Sequence, residues 1–113
     1  MDKVTGYREL LKGLLHEYER LYKLKPRPGV ESFVVFDDVH DSYMLVRLGW
    51  EANRRISQVI LHVRLRDGKF WIEEEWTEEG IANELLQAGV PREDIVLAFH
   101  PPEVRPNTEF AVV

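Results

Sequence analysis

The sequence predicts an α+β fold: a long N-terminal helix packed on a four-stranded antiparallel meander, then a second helix, a short apolar strand and an extended proline-rich tail. Three observations carry this reading. An apolar stripe at three- and four-residue spacing runs from Val4 to Tyr22. Four strand-like runs follow, and Asp67-Gly68 between the last two is the strongest hairpin signal in the chain. After Trp76 come a capped helical pattern, the apolar run Ile95 to Phe99, and a tail punctuated by Pro101, Pro102 and Pro106.

The chain has 113 residues, which is one domain, residues 1–113, with enough length to bury a core unaided. It has no cysteine, which removes disulfides, thiolate metal sites and a cysteine nucleophile. No run of about 18 apolar residues is present to cross a membrane. The N-terminus lacks the apolar core of a signal peptide, so the expected location is the cytoplasm. Net charge is −5. An acidic domain gains little from counterion release, so direct DNA binding by the isolated chain is not expected. It suits a basic partner.

The helical stripe is Val4, Tyr7, Leu11, Leu14, Tyr18 and Leu21, widened by Leu10, Leu15 and Tyr22. Asp2 is its expected N-cap. Pro26, Pro28 and Gly29 end it. Val30 to Phe36 reads as the first strand, Tyr43 to Trp50 as the second, Arg54 to Arg66 as the third and Lys69 to Glu75 as the fourth. Asn53 is the residue expected to take a positive φ at the second turn.

Register counted back from the turns gives two faces. From Asp67-Gly68, Leu65 faces Phe70, Val63 faces Ile72, Arg64 faces Trp71 and His62 faces Glu73. From the Glu51–Arg54 turn, Met44 faces Leu61, Val46 faces Val59 and Leu48 faces Ser57. Both turns place Val59, Leu61, Val63 and Leu65 on the core side, together with Met44, Val46, Leu48 and Trp50. The other face then mixes Leu45, Ile56 and Ile60 with Arg47, Arg64, Trp71 and Glu75, and one row across it reads Tyr43, His62, Glu73.

That row resembles acid–base equipment, but a cross-strand charge pair on a half-exposed face is the favoured account. Cover by another chain is a third account. Asp37, Asp38, His40 and Asp41 have metal-ligating chemistry, yet they fall in a short polar loop where such residues serve turns, and no metal is expected there. Thr77 is the expected cap of the second helix, which ends at Gly89. Pro91 to Asp94 can add one helical turn. In the tail, His100, Pro101, Glu103 and Arg105 are either displayed to a partner by rigid prolines or closed over the core with Phe99 and Val104 buried.

Several segments carry a family likeness. They are Tyr43-Met44-Leu45-Val46 with Gly49-Trp50, Arg54-Arg55, Trp71-Ile72, and Thr77-Glu78 with Gly80-Ile81-Ala82-Asn83-Glu84-Leu85. Gly89-Val90-Pro91, Asp94-Ile95-Val96-Leu97 and Phe99-His100-Pro101-Pro102-Glu103-Val104-Arg105 continue it. Together these resemble the XisI family, the fdxN element excision controlling factors of cyanobacteria. The likeness covers nearly the whole chain and is most specific from Thr77 to Arg105. It implies a compact α+β accessory protein for excising a DNA element during heterocyst development. It also implies a XisH-like companion protein, itself similar to nuclease-like folds, and an indirect link to a site-specific recombinase. No catalytic residue, cofactor or metal is carried over.

The leading expectation is a non-enzymatic regulatory protein that binds its partner through His62, Arg64, Trp71 and Glu73 on the mixed face and His100, Pro101, Glu103 and Arg105 in the tail. A homo-oligomer stays open. One alternative is a small enzyme using His62 with Glu73 or His100 with Glu103. Another is DNA binding through Arg47, Arg54, Arg55, Arg64 and Arg66.

Overall fold

The structure, a computed structural model, describes residues 2–113. Helix α1 spans Lys3–Leu24, with Asp2 accepting the Thr5 N–H as its N-cap. Strands β1 (Val30–Asp37), β2 (Ser42–Glu51), β3 (Arg54–Arg66) and β4 (Lys69–Glu75) form the expected antiparallel meander. Helix α2 is Ile81–Gln87, and β5 is Ile95–Leu97. Strand β5 pairs parallel to β4, so the sheet is five-stranded and mixed, in the order β1-β2-β3-β4-β5. The apolar run expected as a short strand after the second helix docks beside β4, with Ile95 and Val96 fully buried.

Three local expectations are corrected. The second helix starts at Ile81, not after Thr77, because Gly80 at φ 77° breaks the turn and the Glu75 carboxylate takes the Ile81 N–H and the Thr77 hydroxyl. At the β2–β3 turn the positive φ falls on Ala52 (φ 55°), not on Asn53. The tail is not extended. It folds through a 3-10 turn at Arg105–Asn107, and Ala111 bridges to Val96 along the far side of β5. Asp67 (φ 54°) and Gly68 (φ 73°) both take positive φ, as a type I′ turn requires.

The larger correction concerns the faces. Register from Asp67-Gly68 holds from Arg66↔Lys69 to Val63↔Ile72. Register from Glu51↔Arg54 holds as far as Val46↔Val59. Between these zones Ile60 is an extra residue in β3, so Leu45, not Met44, lies opposite Leu61. A bulge of this kind lets two residues oppose one and inverts the alternation beyond it. The helix-covered face therefore carries Tyr43 and Leu45 from β2, both fully buried, with Ile56, Ile60, Leu61, Val63 and Leu65 from β3. Phe70 and Ile72 complete it from β4. Met44, Val46, Leu48, Trp50 and Val59, expected in the core, lie on the opposite face, and Arg47 turns to the helix side.

Against this face α1 packs Leu11, Leu15 and Tyr18, and α2 packs Ile81 and Leu85. The end of the stripe projects past the sheet, leaving Leu21 46% and Leu24 64% exposed. At its N-terminal half α1 is tied down by polar bonds. Lys3 pairs with Asp94 at 2.8 Å, and the Tyr7 hydroxyl donates to the same carboxylate at 2.6 Å. Arg8 Nε donates to Asp41 at 2.8 Å, and Lys12 Nζ pairs with Asp38 at 2.9 Å. Between them sits the Tyr43 hydroxyl, 2.9 Å from Asp38 and 2.8 Å from Asp41.

Candidate functional site

The face away from α1 is the candidate interface. Its rows follow from register: Glu31, Leu48 and Ser57; then Phe33, Val46 and Val59; then Val35, Met44, His62 and Glu74; then Asp37, Ser42, Arg64 and Trp71. Two of the apolar side chains are well exposed, Val35 at 37% and Trp50 at 55%. Phe33, Met44, Val46, Leu48 and Val59 are half-buried. No element covers β1 to β3 on this side among the described residues. This is the half of the interface that parity-counting from the turns had assigned to the core. Its signal in the sequence was the presence of apolar residues at both parities of β2, Tyr43 and Leu45 beside Met44, Val46 and Leu48.

Glu73 does not face His62. It is the extra residue of a second bulge, and His62 pairs with Glu74. The His62 Nε2 instead lies 2.7 Å from the Ser42 hydroxyl. Burial holds the His62 pKa below the ordinary imidazole value; Glu73 pulls the other way, and Arg64 adds to the lowering. The ring is thus kept neutral at pH 7, matched to a hydroxyl partner. A serine bonded to a neutral histidine is half of a nucleophilic arrangement. The orienting carboxylate is missing from it: among the described residues no carboxylate hydrogen-bonds His62, and Tyr43 of the expected row is buried on the other face.

Arg64 lies opposite Trp71 as register predicted, and it has no salt bridge among the described residues. Trp71 links the sheet to the tail. Its Nε1–H donates to the Arg66 carbonyl at 2.9 Å, and the guanidinium groups of Arg66 and Arg105 stand 5.2 and 5.8 Å from its ring centroid. Arg105 also donates to the carbonyls of His100, Val112 and Ala98. It is therefore the staple that closes the tail over β4 and β5, and is not a side chain held out to solvent.

Pro101 and Glu103 are exposed, and His100 is half-buried, edge-on to Phe99 at 4.6 Å. Phe99, buried in the account that closes the tail over the core, is 43% exposed. His100 and Glu103 form no hydrogen bond with each other among the described residues. The structure thus joins Arg64, Trp71 and Arg105 in one surface, with His62 two residues along β3. It leaves Pro101 and Glu103 at the rim.

The arginines of the DNA-binding alternative do not share a face. Arg47 lies under α1, and Arg54 pairs with Glu51 at the turn at one end of β3. Arg55 stacks on Trp50 at 5.4 Å, while Arg64 and Arg66 belong to the other end. The loop carboxylates are each committed. Asp37 binds the Val39 and His40 N–H groups and the His40 ring, Asp38 binds Lys12, and Asp41 binds Arg8.

The fold recurs in solved structures. A family model described as XisI protein matches residues 1–112. The crystal structure of fdxN element excision controlling factor XisI from Anabaena variabilis is 36% identical, covers 99% of this chain and 100% of its own, and superposes with a TM-score of 0.86. A XisI-like protein from the same organism is 34% identical over the same shares, with a TM-score of 0.90. No curated protein matches the chain.

Proposed function

The chain belongs to the XisI family, and we propose that it is a non-enzymatic controlling factor that acts in DNA-element excision by binding a XisH-like protein. The open sheet face and the stapled tail form the contact, centred on Met44, Val46, Arg64 and Trp71. The observation that carries this reading is the apolar centre of that face, left half-exposed on a sheet whose other side is closed by α1 and α2. A face of this kind loses free energy to water until another surface covers it. Arg64 and Trp71 are residue types that dominate the energy of protein contacts. The chain's net charge of −5 suits a partner with a basic, DNA-handling surface, which this protein would hold in check. A recombinase is affected only through that partner.

The test is co-purification and analytical sedimentation with a XisH-like protein at low salt. A complex is expected at about 10 µM or below. Val46→Asp and Trp71→Ala should each abolish it while leaving the chain folded. Absence of a complex at tens of micromolar, about the weak limit for a specific contact, sinks the proposal. So does a complex indifferent to both substitutions.

A further inference from the structure

Arg47 sits where the fold does not need a cation. It lies on the helix-covered face of β2, opposite Ser32 of β1 and Gln58 of β3. One terminal nitrogen donates to the Gln58 side chain at 2.7 Å. Its Nε–H is buried and reaches no acceptor, and the guanidinium makes no ion pair among the described residues. An unpaired cation drawn out of water is destabilising unless something compensates it.

Arg47 forms part of the floor of a cleft of about 510 Å³ between the end of α1, the linker after it and β1. Three more cations border the same cleft: Lys23, Lys25 and Arg27. Lys23 and Lys25 also suit the C-terminal end of a helix dipole, so they alone would mean little. Arg47 comes from a strand and has no such reason. Of the nearby acids, Glu51 is paired with Arg27 and Arg54, and Glu19 with the Val34 N–H and Lys23. Glu31 at the rim, and Glu78 and Glu79 across the neighbouring hollow, form no ion pair among the described residues.

The cleft is also pre-shaped. The linker is clamped to the end of β2 by the Trp50 N–H donating to the Gly29 carbonyl at 2.9 Å. A Cβ at Gly49 would stand 1.9 Å from that carbonyl oxygen, so glycine is required for the approach. Ser32 adds a backbone donor. Since the Val34 N–H points away from β2 to reach Glu19, alternation along an edge strand turns the Ser32 N–H outward as well.

We propose that this cleft binds a small phosphate-bearing ligand, with its oxyanion on Arg47 and the Ser32 N–H and its charge balanced by Lys25. Two unpaired cations and a backbone donor for one group favour a dianion over a single carboxylate, and the planar guanidinium matches phosphate oxygens. Beyond Arg47 the surface continues into a hollow with Tyr18, Leu21 and Leu24 on its α1 side and Thr77, Glu78 and Glu79 opposite, which would take a polar organic body attached to the phosphate.

The experiment is a titration of the ¹⁵N-labelled full chain at constant ionic strength, following the Arg47 Nε–H resonance. One arm uses inorganic pyrophosphate, the other adenosine 5′-monophosphate, with adenosine as control. Saturable movement of that resonance is expected in the millimolar range or below, about 1 mM. A tighter midpoint for the monophosphate marks an organic phosphate as the source, and a tighter one for pyrophosphate marks the free oxyanion. Arg47→Gln should abolish the ligand-induced shift of the Ser32 backbone amide, followed in the same spectra, and Lys25→Glu, at the exposed C-cap of α1, should weaken binding about tenfold. No movement of Arg47 at about 10 mM ligand, weaker than a functional small-molecule site would be, overturns the proposal. An unchanged affinity in Lys25→Glu does the same.

Discussion

The two ends of the layer between α1 and the sheet are built from the same kinds of residues and finished differently. At the N-terminal end every cation of the helix meets a carboxylate: Lys3 meets Asp94, Arg8 meets Asp41 and Lys12 meets Asp38. Tyr43 lies between two of these acids and shares its proton with them. At the C-terminal end Lys25 and Arg47 meet none, and the layer gapes into a cleft. One end is a satisfied network, which rigidifies. The other keeps uncompensated charge, and that arrangement costs stability. The contrast locates where the fold is held and where it is left open.

The comparison can be broken most severely at the open end, through its backbone. Gly49→Ala should destabilise by about 3 kcal/mol or more, since its Cβ has no room against Gly29 and φ is +152°. Chemical denaturation measures this, and the same variant should lose the Trp50–Gly29 clamp. Acid should act on the other end. Arg8, then Tyr43, holds the Asp41 carboxyl below its ordinary pKa. At Asp94 burial pushes upward, but the bonds from Lys3 and Tyr7 outweigh it, and the pKa is again lowered. Lowered folded-state values mean that the unfolded chain takes up protons first. This contribution is complete above about pH 5 and is lost as pH falls below about 4 through the folded values. Thermal unfolding against pH should show this decline, and Asp41→Asn should flatten part of it.

Tyr43→Phe removes a hydroxyl that burial and then Asp41 and Asp38 hold protonated, its pKa pushed upward. It should cost about 1–3 kcal/mol, the range for a buried bond to a charged group. The smallest effect should have the opposite sign. Arg47→Met replaces an unpaired guanidinium by a side chain that fits beside Tyr22 and should raise stability by up to about 1 kcal/mol. If it instead destabilises as much as Tyr43→Phe, the two ends are alike and the contrast is void.

Much of the fold was legible because it is written locally. The α1 stripe with its Asp2 cap, the Asp67-Gly68 hairpin and the Gly89 stop each depend on residues within a few positions of one another. The bulges at Ile60 and Glu73 do not. Both turns agreed on the odd-numbered face of β3, and that agreement assumed unbroken alternation between them. Neither Ile60 nor Glu73 is a residue type that announces a bulge, so Val46 and Met44 went to the wrong face and His62 received the wrong partner. The parallel docking of β5 and the Glu75 cap of α2 are tertiary choices of the same sort. Arg64 facing Trp71 was legible because it lies three residues from a secure turn. Arg47 was read as a solvent-facing cation; the polar row Ser32, Arg47, Gln58 crossing otherwise apolar strands was its only trace.

Strand β1 is an eight-residue border of the sheet with apolar side chains on both faces. Such a border is a template onto which a second chain can add its own strand, the first step toward fibrils. Here the carboxylate of Glu19, reaching over from α1, occupies the outward N–H of Val34 at 3.1 Å. A negative charge placed at the middle of the strand denies an incoming backbone its central hydrogen bond and meets its carbonyls with repulsion. One side chain of the helix thus guards the molecule against its own copies during the time the border stands bare.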